Sequence, residues 1–293
     1  MANRRVLVKR RKSVRNIRKI TRTMQLIATA RYQAAYNRAM AAKPYTEKLA
    51  ELVADLSQAA DDVEHPLMKT NDVKRAAVLC ITSKRGLCGG YNAHVLRLAI
   101  EHLDKLKADE FETDVEMVGK KGVGYFRFLG RPVSKAIVNL DDTPRFEQIE
   151  PLANSLMNRF IKGEIASAHV VYMRFVSAGV QRPHVMQLLP LTREEDQSSE
   201  QAAGAATTSE YEFSPDPTAL LDELLPATVR TGLFQCFNDA MVSEQVARMV
   251  AMKAATDAAG DMIKMLTRQY NRARQTAITM ELLDIVGGAN ALG

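Results

Sequence analysis

The chain has no tryptophan, three cysteines and only 6% aromatic residues in 293. So little aromatic mass argues against a large aromatic-rich core. Cys80, Cys88 and Cys236 make no paired framework and lack metal-ligand spacing. They read as buried or half-buried thiols of a reducing compartment. No apolar run reaches the roughly 20 residues of a transmembrane helix. Acid is missing from one end: residues 1–46 hold 13 Lys or Arg and no Asp or Glu. The rest of the chain carries 27 basic and 34 acidic residues, a net of −7, so the overall charge of +6 is a local device. Its natural targets are acidic protein surface, nucleic acid or lipid phosphate, and it also mimics a transit peptide. Proline, finally, is absent after Pro226.

That proline-free stretch organises the chain. Ala247, Ala251, Ala254, Ala258, Met262, Leu266, Tyr270, Ala273, Ala277, Met280 and Leu283 recur with a mean step of 3.6, one face of an α-helix. A helix from Leu220 to Val286 would be on the order of 100 Å long, more than a domain of this size can enclose. At the other end, Val14, Ile17, Ile20, Met24, Ile27, Arg31, Ala34, Arg38, Ala41, Tyr45, Leu49, Leu52 and Leu56 step by three and four with a mean of 3.5. That is the coiled-coil period. Pro44 falls inside the pattern and predicts a kink or a brief interruption. Pairing the two ends antiparallel in one chain buries both alanine-rich stripes without a second copy.

Between them the period changes. Strands are predicted over Ala76–Thr82, Thr113–Val118, Val133–Asn139, Ala168–Val176 and His184–Leu191. Helices are predicted over Ala93–Lys107, Val123–Leu129 and Phe146–Ile161. Strands alternating with helices make an open α/β sheet. The predicted fold is a long antiparallel coiled coil of the terminal helices (1–60 and 216–293) with an inserted Rossmann-like α/β domain of about five strands (70–215). Residues 192–217 are polar and low in complexity and read as a mobile return loop.

Little of this looks catalytic. SKRGLCGGYN lies between a strand and a helix, where glycine loops cradle phosphates, but its spacing fits neither nucleotide fingerprint. A tight turn explains its glycines equally well. Cys88 beside Arg85 has no histidine or second cysteine fixed nearby, and His65, His94, His102, His169 and His184 share no metal spacing. No catalytic, cofactor or metal site is predicted. Taken as residues alone, Arg274 and Gln275 are surface polar positions on a helix.

Four segments carry a family resemblance: KSVRNIRKITRTMQLIATARY followed by KPYTE, SKRGLCGGYN, SEQVARMVAMKAATDAAGDMI, and NRARQTAITMELLDIVGGANAL. In their order they resemble the gamma subunit of F-type ATP synthases, the central rotor shaft. The resemblance implies a non-catalytic subunit whose coiled coil enters a ring of three alpha and three beta subunits, where ATP chemistry resides. Its base would seat on the epsilon subunit and the membrane c-ring, at the cytoplasmic face of a bacterial inner membrane. The family's motif positions imply that Arg274 and Gln275 meet a beta subunit, supported by Thr279 and Glu281. Met24 and Arg248 would face a beta subunit's acidic lever. Arg85, Gly86, Leu87, Cys88, Gly89 and Gly90 form the loop of the globular domain. Arg11 stands where the family is usually apolar, and Lys84 where aspartate is common. The cysteine pair of plastid members is missing, so thiol regulation is not expected. Two rivals remain: a basic coiled coil that binds nucleic acid, and an enzyme using the glycine loop for a nucleotide.

Overall fold

The computed structural model describes residues 4–59, 65–191 and 217–292. The expected return loop, apart from its last residue Pro217, lies outside them. Two compact units result, one of Met1–Ala30 with Arg248–Gly293 and one of Arg31–Ala247. Two long helices belong to both: the first, α1 (Arg4–Ala59), and the last, α5 (Pro217–Leu292).

In the 31–247 unit, β1 (Arg75–Ile81) is the central strand. Six of its seven residues are buried, as expected of a strand covered on both faces. β2 (Glu112–Val118) and β4 (Ser167–Phe175) flank it in parallel, and β3 (Lys135–Ile137) extends the sheet beyond β2. β5 (Gln181–Leu189) closes the other edge antiparallel, giving the order β3-β2-β1-β4-β5. Alternation along β1 splits the core. Ala77, Leu79 and Ile81 face a layer made by α4 (Phe146–Ile161) and by Leu221, Leu225, Val229, Leu233 and Phe237 of α5. Ala76, Val78 and Cys80 face α2 (Tyr91–Ala108) and Phe126 of α3 (Lys120–Phe128). All five strands and three intervening helices fall where the sequence predicts them, within a few residues at their ends.

The helix pair differs in one respect. Within the unit formed by the chain ends, Leu7 and Val14 of α1 cluster with Ala259 and Leu266 of α5. Thr21 Oγ1 lies 2.8 Å from Thr256 Oγ1, and the Arg11 guanidinium sits 5.1 Å from the Tyr270 ring centre. The pairing is antiparallel, as expected; of the predicted α1 stripe Val14 and Leu49 are buried and Met24 and Leu52 half-buried, but its other described members are exposed and the buried stripe runs mostly one residue further on. Leu7, Val14, Ala28, Ala35, Ala39 and Leu49 are buried, with Arg11, Thr21, Gln25, Tyr32, Ala42 and Thr46 half-buried in the same three-four rhythm. Ile17, Ile20, Ile27 and Tyr45 are 50–63% exposed, and Arg31, Ala34, Arg38 and Ala41 are exposed as well. On α5 the stripe is Met252, Thr256, Ala259, Ile263, Leu266, Tyr270, Ala273 and Ala277, so Ala254, Ala258, Met262, Met280 and Leu283 are exposed. Two neighbouring stripes of α1 have the right period. The small-residue one is buried, which lets the axes approach closely. α1 also runs through Pro44 without a break in helix. Ala39, Ala42, Thr46 and Leu49 hold it on both sides, and a single proline removes only one helical hydrogen bond.

Candidate partner-contact surface and glycine loop

Arg274, Gln275, Thr279 and Glu281 are all exposed on α5. The Thr279 hydroxyl donates to the Gln275 carbonyl at 3.0 Å, an ordinary helix back-bond that leaves the amide of Gln275 facing outward. Position along the pair follows from its two cross-contacts. Thr21 with Thr256 and Arg11 with Tyr270 sum to 277 and 281, so residue 273, next to Arg274, lies opposite residues 4 to 8. Residues 278–287 form the last stretch of α5 with described side chains. Every described side chain there is exposed: Ile278 52%, Met280 46%, Leu282 58%, Leu283 57%, Ile285 71% and Val286 47%. The result is an apolar end of α5 whose described side chains are exposed.

Met24 and Arg248 are half-buried. Both belong to the unit formed by the chain ends. The six predicted contact residues therefore form two groups, separated along α5 by the 26 residues from 248 to 274, about 40 Å of helix. Arg11, expected as a departure from an apolar position, lies on the seam and keeps its charge by covering the face of Tyr270.

The glycine loop belongs to the other unit, and its polar groups are taken up by the chain itself. The Asn92 side chain accepts the Ser83 N–H at 3.0 Å and donates to Ser83 Oγ at 2.8 Å and Cys88 Sγ at 3.3 Å. Thr82 Oγ1 donates to the Val118 carbonyl and accepts the Gly122 N–H, at 2.6 and 3.0 Å. Gly119, at φ 91°, lets the next loop come so close that a β-carbon there would meet the Thr82 carbonyl at 2.2 Å. Leu87 and Gly89 adopt positive φ, of 64° and 56°, at the turn itself. Arg85, Gly86, Leu87, Gly89 and Gly90 line the outside of this turn and Cys88 is buried beneath it. A phosphate cradle needs backbone N–H groups aimed outward; here Tyr91 N–H bonds to Cys88 O and His94 N–H to Gly90 O. Lys84 reaches the Leu140 carbonyl at 3.3 Å.

Sequence reading missed what covers this end of the sheet. Asp142 accepts Arg31, 111 residues away in the chain, at 2.9 Å and lies 3.6 Å from Arg85, joining α1 to the loop. Tyr32 and Tyr36 pack on Phe175 at the end of β4, with ring centres 6.5 and 5.9 Å away. The i, i+4 tyrosines were the available signal. At the carboxyl end of β4, Phe175 is thus covered by the protein's own aromatics. Burial pushes the Cys80 thiol up to about 12 and the Cys236 thiol higher still, so neither is a poised nucleophile. Among the described residues no group of three His, Cys, Asp or Glu converges as a metal site.

Antiparallel chain-end helices with an exposed apolar stretch of α5, and an α/β unit in the same chain, fit the coiled-coil stalk class of subunit. The ATP synthase family model matches residues 3–292. The chain is 46% identical over 294 residues to the ATP synthase gamma chain of Rhodopirellula baltica, covering 100% of this chain and 99% of the relative. It is 40% identical to that of Leptospira biflexa, with both chains covered in full (100%). Among solved structures it resembles a chain of the Euglena gracilis mitochondrial ATP synthase OSCP/F1/c-ring assembly, with a TM-score of 0.67 and 19% identity over 99% of this chain and 94% of that one. A chain of the Tetrahymena thermophila mitochondrial ATP synthase central stalk and c-ring matches with a TM-score of 0.57 and 19% identity, over 80% of this chain and 99% of that one. The chain belongs to the ATP synthase gamma-chain family. The nucleic-acid reading finds no support in these relatives.

Proposed function

We propose that this chain is the central-stalk rotor of a proton-translocating F-type ATP synthase, carrying rotation between the membrane c-ring and the alpha3beta3 catalytic ring. The observation that carries this reading is the exposed apolar end of α5, from Ile278 to Val286. Such an end needs a sleeve supplied by other subunits. Exposed Arg274, Gln275, Thr279 and Glu281 at its base suit contacts that form and break, since a solvated ion pair is worth about 0–1 kcal/mol. These four, with Met24 and Arg248, are the proposed beta-subunit contacts. Segments 1–60 and 216–293 act as the shaft. Segment 70–215, with the turn from Arg85 to Gly90, acts as the globular part that meets the epsilon subunit and the c-ring. ATP chemistry belongs to the beta subunits, and this chain contributes no catalytic group or cofactor. No described helix is long and apolar enough to cross a membrane. The proposed location is peripheral, at the cytoplasmic face of a bacterial inner membrane.

The test is reconstitution with alpha, beta and epsilon subunits, read by native mass and ATP hydrolysis. A complex of three alpha, three beta and one epsilon around one copy of this chain is expected, and Arg274→Ala with Gln275→Ala should lower turnover several-fold while assembly persists. A chain that stays monomeric, or runs with nucleic acid until nuclease is added, would overturn the reading.

A further inference from the structure

The helix α3 has two opposed faces. Gly122 and Phe126 are buried, Phe126 at 0% exposure, and fix the helix rigidly to the sheet. On the outer side Phe128 is 84% exposed, more than any other large apolar side chain described, with Tyr125 and Leu129 at 42% each beside it. Around this aromatic knob stand Lys120, Lys121 and Arg127, all exposed and none in an ion pair among the described residues. The nearby cations Arg131 and Lys135, by contrast, are matched to Asp104 and Glu116 at 2.8 and 3.8 Å. No acidic residue occurs between Glu116 and Asp141. The α3 face therefore combines a pre-ordered aromatic with three uncompensated positive charges.

We propose that this face is a docking site for an acidic protein surface, a pocket that receives Phe128 and is rimmed by carboxylates for Lys120, Lys121 and Arg127. Aromatic and arginine side chains are the residue types that anchor protein interfaces, and a rigid helix presents them without an ordering cost. A lipid surface fits less well. Interfacial membrane helices lay a whole apolar face into the headgroup boundary, whereas α3 has nine residues and has committed its other face to the core. Charge complementarity points the same way, because three cations on one short helix steer an acidic partner and reject a basic one. The inference rests on the rotor reading to the extent that its partner is another subunit of that complex.

Because the chain lacks tryptophan, Phe128→Trp installs a single reporter at an exposed position. The full-length variant is assembled with alpha, beta and epsilon subunits and then with c-ring in detergent. Each spectrum is taken as a difference from the same assembly built on the unsubstituted chain. In the free chain the reporter should emit as a water-exposed indole. On assembly its emission should shift to the blue and its quenching by acrylamide should fall several-fold. Lys120→Glu with Lys121→Glu and Arg127→Glu should weaken that protection about tenfold. A complex that forms and hydrolyses ATP while the indole reporter stays fully quenchable would overturn the docking site and leave the rotor reading intact. Protection that appears only in bilayers and yields to brominated phospholipid would overturn it in favour of lipid. Failure to assemble at all would remove both.

Discussion

The 31–247 unit and the paired chain ends solve the burial problem in different ways. The first has large side chains on both faces of a five-stranded sheet, among them Phe126, Phe160, Leu79, Ile149 and Leu189, all at 1% exposure or less. The second holds its helices by a thin seam in which, among the described residues, Leu7, Val14, Ala259 and Leu266 form the buried apolar cluster. Ile17, Ile20, Ile27, Ile278 and Ile285 are left at 50–71% exposure. One unit carries its stability within itself. The other is a slender, nearly continuous rod whose apolar surface is available to surroundings, as a shaft inside a ring of partners requires.

Truncation of the sheet core should break this contrast hardest. Phe126→Ala removes a ring with no exposed surface and should cost about 3–5 kcal/mol, seen as a large drop in the main calorimetric transition. If Ile278→Ala cost as much, the contrast would collapse; it should change stability by less than about 0.5 kcal/mol while lowering turnover of the assembled enzyme.

Next in size is acid sensitivity, a property of the sheet unit. Burial, then the charge of neighbouring His102, lowers His169 from its usual range to about 4, and His102 is lowered as well, by burial and then by Lys105. Their rings meet at 4.7 Å. The unfolded chain protonates these imidazoles first, so stability is present above about pH 6.5 and is lost as pH falls toward 4, by about 3 kcal/mol for His169. His169→Gln should flatten denaturant midpoints across that window. Asp239 acts with the opposite sign: burial raises it to about 6, so its contribution is fully present below about pH 4 and is lost as pH rises through 6. Asp239→Asn should therefore raise the melting temperature at pH 7 and leave it unchanged at pH 3.5.

The seam supplies the smaller effects. Ala259→Leu overpacks a position with 6% exposure and should cost roughly 1–3 kcal/mol, with loss of helical circular dichroism at lower temperature. Arg11→Ala removes the guanidinium from the Tyr270 face and should cost about 0.5–1 kcal/mol in the same measurement.

How much of this was legible beforehand varies with the element. β1 announced itself, because AAVLCI has no polar residue and a strand buried on both faces leaves no other choice. The α1 stripe did not. Ile17, Ile20 and Ile27 and the set Leu7, Ala28, Ala35 and Ala39 share a period, and bulk favoured the first while the structure buries the second. The exposed contact residues Arg274 and Gln275 carried no local mark beyond their place in a family pattern. Asp142, which ties Arg31 to Arg85, was invisible because nothing in the sequence relates positions 111 apart.

From the sequence alone came the element types, their order, the antiparallel pairing of the chain ends and the local concentration of positive charge. All of these depend on residue spacing and composition within a few turns. Tertiary structure decided which helix face is buried, how Tyr32 and Tyr36 pack on Phe175, and which side chains of α5 stay exposed. Those are choices among faces of equal local fitness, and the free energy that separates them comes only from the neighbour that packs against each one.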